Sequence, residues 1–222
     1  MKIAIDGPAG AGKSTIAKRL AKELQFVYVD TGAMYRALAV DFLQRGLDVA
    51  DEEKIVAAAN EDNVTLSYVN GEQQVFLNGE NVTAQLRTEE VGKMASASSA
   101  YAGVRKKLTA SQKKLAEETD VVMDGRDIGT AVLPDAEVKI YLTASTRTRA
   151  ERRYRELMEK NGAAPDLDVI EKDIAERDDR DMHREAAPLT QTEDAVLVDS
   201  SSLSIEEVVE KIRSIVKEKT GL

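Results

Sequence analysis

Residues 7–14 read Gly-Pro-Ala-Gly-Ala-Gly-Lys-Ser and satisfy every position of the pattern GxxxxGK[ST]. Residues of these types in this order suit one task, holding a run of phosphates. The glycines let successive backbone N–H groups close on phosphate oxygens. Lys13 is long enough to reach the β- and γ-phosphates, and the Ser14 hydroxyl is a donor that Mg²⁺ accepts. The flanks agree with this reading. Lys2–Asp6 is a β-branched run, hence a strand, and Ile16, Leu20 and Leu24 fall at i, i+4 and i+8 with Ala17 and Ala21 beside them, hence a helix. That helix aims its N-terminal partial positive charge at the phosphates. A glycine-rich turn with no ligand is the bland alternative, and the complete pattern in strand–loop–helix context stands against it. The expected nucleoside-triphosphate site is Gly7, Pro8, Ala9, Gly10, Ala11, Gly12, Lys13, Ser14 and Thr15.

Three further clusters bear charge that could meet a second substrate. Asp30-Thr31-Gly32-Ala33-Met34-Tyr35-Arg36 offers a carboxylate, a hydroxyl and a guanidinium where a strand gives way to a helix. It is either an anion seat or an ordinary Asp N-cap. Val121-Val122-Met123-Asp124-Gly125-Arg126-Asp127 is an apolar strand ending in polar groups; Asp124 stands where an acidic residue holds Mg²⁺, usually through water. Arg126 and Asp127 are either a surface ion pair or ligand contacts. Along Glu176–Arg184, Arg177, Arg180, Asp181 and Arg184 share one helical face. The run from Arg147 to Arg155, with Arg149, Arg152 and Arg153 inside it, admits three readings: a charge-laced exposed helix, a nucleic-acid patch, or a flap that lays arginines over transferring phosphates. His183 is the one histidine and has no partner ligands in view.

These residues need a scaffold. At 222 residues, with 42% hydrophobic and 32% charged residues, the chain suits one soluble α/β domain. Besides Lys2–Asp6, the runs Phe26–Val29, Asp120–Met123, Val138–Leu142 and Ala195–Val198 read as buried parallel strands separated by helical patterns, with ligands expected at their carboxyl ends. Asn63–Val69 and Glu72–Asn78 break the pattern: they flank Asn70-Gly71, a hairpin signal that pairs Leu66 with Val75 and Val64 with Leu77. Helices are expected over about 88–98 and 101–118, and in the final segment through Ile205, Val208, Val209, Ile212, Ile215 and Val216. A net charge of −9 opposes a nucleic-acid or membrane coat. The absence of cysteine removes disulfides, thiol nucleophiles and cysteine zinc sites. Met1-Lys2-Ile3-Ala4 runs straight into the first strand, and no apolar stretch has spanning length, so a cytoplasmic protein is expected.

Taken together, Ile5-Asp6-Gly7-Pro8, Asp30–Arg36, Asp124-Gly125-Arg126-Asp127-Ile128-Gly129-Thr130 and Glu176–Asp181 followed by Ala187-Pro188-Leu189 closely resemble the bacterial cytidylate kinases among the nucleoside-monophosphate kinases. The resemblance spans essentially the whole chain. It implies a P-loop kinase fold: a five-stranded parallel sheet flanked by helices, an inserted small antiparallel β lobe in the monophosphate-binding region, and a short lid. Residues 1–222 would form a single domain, with a core of about 1–60, 119–145 and 190–222, an insert of about 61–100 and a lid of about 147–165. The implied reaction is ATP + CMP (or dCMP) → ADP + CDP (or dCDP) with Mg²⁺, bound through Ser14 and, by way of water, Asp124. The implied acceptor contacts are Asp30, Thr31, Tyr35, Arg36, Ser96, Arg105, Arg126, Asp127, Arg177, Asp181 and Arg184. Of these, Ser96, Arg105 and Asp127 would read the cytosine edge. Lys13, Arg126, Asp127, Arg153, Arg177 and Arg184 would act in catalysis. The partners implied are small molecules, with no nucleic acid or membrane, and a monomer is expected. The competing readings are another P-loop small-molecule kinase, such as a thymidylate or shikimate kinase, an ATP-binding switch, and a nucleic-acid-dependent ATPase.

Overall fold

The computed structural model describes residues 1–222, apart from the Asn161 side chain. Its centre is a five-stranded parallel sheet built from β1 (Lys2–Asp6), β2 (Val27–Asp30), β6 (Val121–Gly125), β7 (Val138–Thr143) and β8 (Val196–Asp199), in the order β2-β6-β1-β7-β8. β6 is buried along its whole length, as a strand covered on both faces must be. On one face, Ile16 and Leu20 of α1 (Lys13–Leu24) and Val208, Val209 and Ile212 of α8 (Ile205–Thr220) close over Ile3, Ile5 and Ile140. The observed strands extend one or two residues past the apolar runs. Asp30 lies beside Asp124, still inside the ladder, where polarity hides both from a hydrophobic pattern, while Asp6, within the expected first strand, lies beside Gly125. β1 sits between β6 and β7, so the loops after these three strands emerge side by side at the carboxyl edge.

Between β2 and β6 the chain forms α2 (Thr31–Gln44), α3 (Glu52–Glu61), β3 (Val64–Val69), β4 (Glu72–Leu77), β5 (Glu80–Asn81), α4 (Glu89–Ser98) and α5 (Ala102–Glu118). The hairpin has the expected register, with Val64 opposite Leu77 and Leu66 opposite Val75. Val64, Val75 and Leu77 bury against Leu38, Phe42, Val91 and Leu108, giving this lobe a core of its own. β5 was not foreseen, since two polar residues carry no alternation. The hairpin tip docks back on the main sheet: the Tyr68 hydroxyl donates to the Tyr28 carbonyl at 2.9 Å, and the Gln73 amide oxygen accepts from the Asp30 N–H at 2.9 Å. β2 is an edge strand, so these side chains cover backbone groups that would otherwise lack a ladder partner.

Between β7 and β8 lie α6 (Thr146–Asn161) and α7 (Leu167–His183), packed against each other and N-capped by Ser145 and Asp166. Arg147 joins them through Asp168 at 2.7 Å and Glu171 at 3.0 Å. These are exposed ion pairs, each contributing little. No helix among the described residues is long and apolar enough to cross a membrane.

Candidate active site

The phosphate loop has the shape its glycines allow. Gly7 has φ +149°, and a Cβ there would lie 1.9 Å from the Leu142 carbonyl oxygen, so the close pass of the loop over β7 admits glycine alone. Gly12, at φ 91°, turns the chain into α1 and offers no side-chain cap, which leaves the first-turn N–H groups open to an anion. Lys13 is buried and donates to the Pro8 carbonyl at 2.8 Å. Burial, aided by the charge of Arg126, pulls its pKa down to about 7.

Ser14 Oγ donates to Asp124 Oδ2 at 2.9 Å, which brings together the hydroxyl and the carboxylate expected to share a metal. The other Asp124 oxygen accepts from the Tyr28 hydroxyl at 2.9 Å. Burial, with Asp30 adding repulsion, raises Asp124 to about 6. Hard oxygen donors beside a phosphate loop fit Mg²⁺, which keeps much of its water and takes few protein ligands. Asp6 stands at the same sheet edge but faces the Ile128 and Gly129 N–H groups at 2.8 and 2.7 Å, tying β1 to the turn after β6. Burial raises it, too, to about 6.

A cleft of about 680 Å³ runs from the loop to a second group of charged side chains. Asp30 caps α2 through the Ala33 N–H at 2.9 Å and pairs with Arg36 at 2.8 Å, so the capping role and the placing of a guanidinium at the cleft coexist. The Thr31 hydroxyl donates to the Asp124 carbonyl at 2.7 Å and keeps its acceptor lone pairs, and Thr31 lines the cleft. Asp127 and Arg105 form a buried ion pair at 2.5 Å, and the Arg105 guanidinium lies 5.4 Å from the Tyr35 ring centre. Arg105 also donates to the Ser99 carbonyl at 3.0 Å. Arg126 donates to Asp181 at 2.9 Å, and Arg184 approaches the other Asp181 oxygen at 3.5 Å. Arg177 differs in forming no ion pair among the described residues: its Nε, like those of Arg36 and Arg105, is buried without a hydrogen-bond partner, and burial and Arg126 together pull its pKa down to about 10. Arg153 stands at the rim, half exposed and paired with Glu156 at 2.9 Å.

All the acceptor residues expected from the sequence line this one cleft, as do Ala9, Gly10, Gly12, Lys13, Ser14 and Thr15. Gly7, Pro8 and Ala11 of the loop fall outside its lining. Sequence reasoning missed Tyr28, whose hydroxyl holds Asp124, as well as Ser99 and Arg87. Alternation along β2 would have marked Tyr28 only as a core residue, and no spacing singles out Arg87 or Ser99. His183 is exposed and meets Asp179 on its own helix.

A parallel sheet carrying this loop on its first strand, with a charged cleft at the carboxyl edge, defines a P-loop kinase of small molecules. Shikimate kinase from Bacteroides thetaiotaomicron shares the fold at a TM-score of 0.51, with 14% identity and 98% of each chain covered. The family model for cytidylate kinase matches residues 3–218. The cytidylate kinase of Geobacillus sp. (strain WCH70) is 49% identical over 221 residues, covering 100% of this chain and 98% of that protein. That of Caldicellulosiruptor bescii is 50% identical over 212 residues, covering 96% and 93%. The chain belongs to the cytidylate kinase family.

Proposed function

We propose that this protein transfers the γ-phosphoryl group of ATP to CMP or dCMP, giving CDP or dCDP and ADP. One observation carries the proposal: in a chain of this family, a single cleft joins the phosphate loop to the buried Arg105–Asp127 pair. An acceptor phosphate oxygen attacks the γ-phosphorus in line while the bond to the β,γ-bridging oxygen breaks and ADP departs. The acceptor is already an oxygen nucleophile, so catalysis consists of positioning and charge neutralisation. Residues 7–15 hold the triphosphate, and Lys13 exchanges the Pro8 carbonyl for phosphate oxygens. Ser14 and, through water, Asp124 would hold Mg²⁺, which would supply charge neutralisation to the triphosphate. Arg36, Arg126, Arg177 and Arg184 meet the acceptor phosphate and the transferring group, with Asp181 toward the sugar. The segment 147–165 is the lid and brings Arg153 over the phosphates.

Cytosine presents an amine donor beside two acceptors. Asp127 accepts from the amine, while Arg105 and Ser96 serve the acceptors. Uracil would turn an oxygen toward the Asp127 carboxylate, a buried mismatch that rejects it. The test is ADP release from ATP·Mg²⁺ with CMP, dCMP, UMP, dTMP, AMP or shikimate, against a blank without acceptor. Turnover with CMP or dCMP above a quiet blank is expected. Equal rates across the panel and the blank would mean an ATPase or switch instead.

A further inference from the structure

We infer that Arg149 and Arg152 of α6 brace the phosphate loop in its phosphate-receiving shape through its carbonyls, and that Asp178 of α7 holds Arg149 in that position. A glycine-rich loop free of ligand has peptides that can flip, and converging N–H dipoles repel one another until an anion arrives. In a planar trans peptide the C=O and N–H point in opposite directions, so fixing a carbonyl fixes the N–H of the following residue. Arg149 donates through Nη1 to the Ala9 carbonyl at 3.0 Å, and that peptide carries the Gly10 N–H. Arg152 donates through Nη1 to the Ala11 carbonyl at 3.4 Å, in the peptide that carries the Gly12 N–H. Both guanidiniums are anchored elsewhere. Arg149 Nε meets the Ala144 carbonyl at 2.9 Å and its Nη2 lies 2.6 Å from Asp178, while Arg152 Nη2 meets the Ser200 carbonyl at 2.8 Å. Arg149 and Asp178 are 4% and 7% exposed, so neither is an ordinary surface charge.

The position of Asp178 adds a connection. It adjoins Arg177 on α7, the helix that also carries Asp181 and thereby holds Arg126. One helix therefore bears the acceptor-side charges and the carboxylate that steadies the triphosphate loop. Asp178 and Arg149 are positioning residues: they act through the Ala9–Gly10 peptide.

This inference rests on residues 7–15 being the triphosphate site, and inorganic tripolyphosphate is the probe because it occupies that site without a base. Titration calorimetry would compare wild-type protein with Asp178→Asn and Arg149→Lys, and thermal melting would check that each is folded. Asp178→Asn keeps the shape and one acceptor but removes the charge, so it reads the same link should Arg149→Lys not fold. The expected result is tripolyphosphate affinity weakened by about tenfold in both variants, the loss of a hydrogen bond to a charged group. A parallel rise in KM for ATP with KM for CMP unchanged is also expected. Wild-type affinity in the folded variants would overturn the brace. So would lost ATP affinity with tripolyphosphate untouched, which would make Arg149 a platform for the base. Wild-type protein that fails to bind tripolyphosphate would overturn the site reading itself, and the acceptor panel tests the acceptor separately.

Discussion

The two ends of the cleft are built differently. At the loop end the receiving groups are backbone N–H groups from consecutive residues, shaped by Gly7 and Gly12. At the acceptor end they are side chains drawn from α2, α4, α5, the edge of β6 and α7. The acceptor end is itself divided. Arg105–Asp127 and Arg126–Asp181 are already ion-paired, whereas Arg177 makes no ion pair among the described residues. On the proposed function, pairs that exist before the ligand arrives keep the base site in shape, and a cation without an ion-pair partner leaves attraction in reserve for an incoming phosphate. A fold can therefore separate selectivity from drive by deciding which charges it neutralises in advance.

The largest effect should come from the loop end. Lys13→Ala removes the one side-chain cation of the loop, and kcat should fall by about 10³-fold, with thermal stability little reduced. Steady-state kinetics beside a melting curve check this, and a variant retaining most of its turnover would break the comparison at that end. Next comes the uncompensated charge. Arg177→Met should lower kcat/KM by about a hundredfold while the ligand-free protein melts no lower than wild type, because a desolvated cation gives way to a chain of similar size. A lower melting point for the methionine variant would mean that Arg177 is compensated after all.

Asp127→Asn sharpens the contrast by disturbing a pair that is already made. The carboxamide leaves Arg105 buried without its counter-charge, so stability should fall by about 3 kcal/mol. It also presents a donor as well as an acceptor to the base, and the preference for CMP over UMP should shrink by about tenfold. Initial rates with both acceptors give the ratio. Equal losses for CMP and UMP would remove Asp127 from base reading and leave it only the stability role.

How far the sequence could be read follows the same division. The loop, the strand after which it lies and the hairpin register were legible because local rules set them: glycine dihedrals, β-branched runs, and a two-residue turn that allows one pairing. Three of the charged clusters on the acceptor side were visible in the sequence, Ser96, Arg105 and the individual roles came through family resemblance, and the pairings were not legible. Arg105 and Asp127 lie on α5 and after β6, and only packing brings them to 2.5 Å. The arginine run shows the limit most clearly. Arg147 and Arg153 sit in exposed ion pairs, as a charge-laced helix predicts, whereas Arg149, a few residues away, is 4% exposed. Composition and spacing treat these three alike, and only the loop that α6 packs against tells them apart. The Thr31 hydroxyl, expected to contact the acceptor, also donates to the Asp124 carbonyl because β2 and β6 run side by side, a bond that no spacing announces.

The smallest effect is a fraction of a proton, and it tests whether the loop end also waits uncompensated. Burial holds Lys13 at about 7 rather than its ordinary 10.5, so at pH 8 much of it is neutral before ATP arrives. Phosphate oxygens favour the charged form, so ATP binding at pH 8 should take up more protons through Lys13 than binding at pH 6, where the lysine is already charged. Calorimetry in buffers of different ionisation enthalpy measures the uptake, with Lys13→Met subtracting what the nucleotide itself contributes; identical uptake in both proteins would refute the shift. Stability without ligand should show the same groups from the other side. Asp6 and Asp124 are raised to about 6, so the folded state holds more protons than the unfolded one between their ordinary 3.8 and 6, and stability falls as pH rises through that window. Lys13 is lowered, so the unfolded state holds the extra proton between 7 and 10.5, and its cost to stability is relieved as pH rises there. The three groups therefore weigh most on the empty protein between pH 6 and 7, and saturating tripolyphosphate should raise the melting temperature more at pH 6.5 than in a Lys13→Met background.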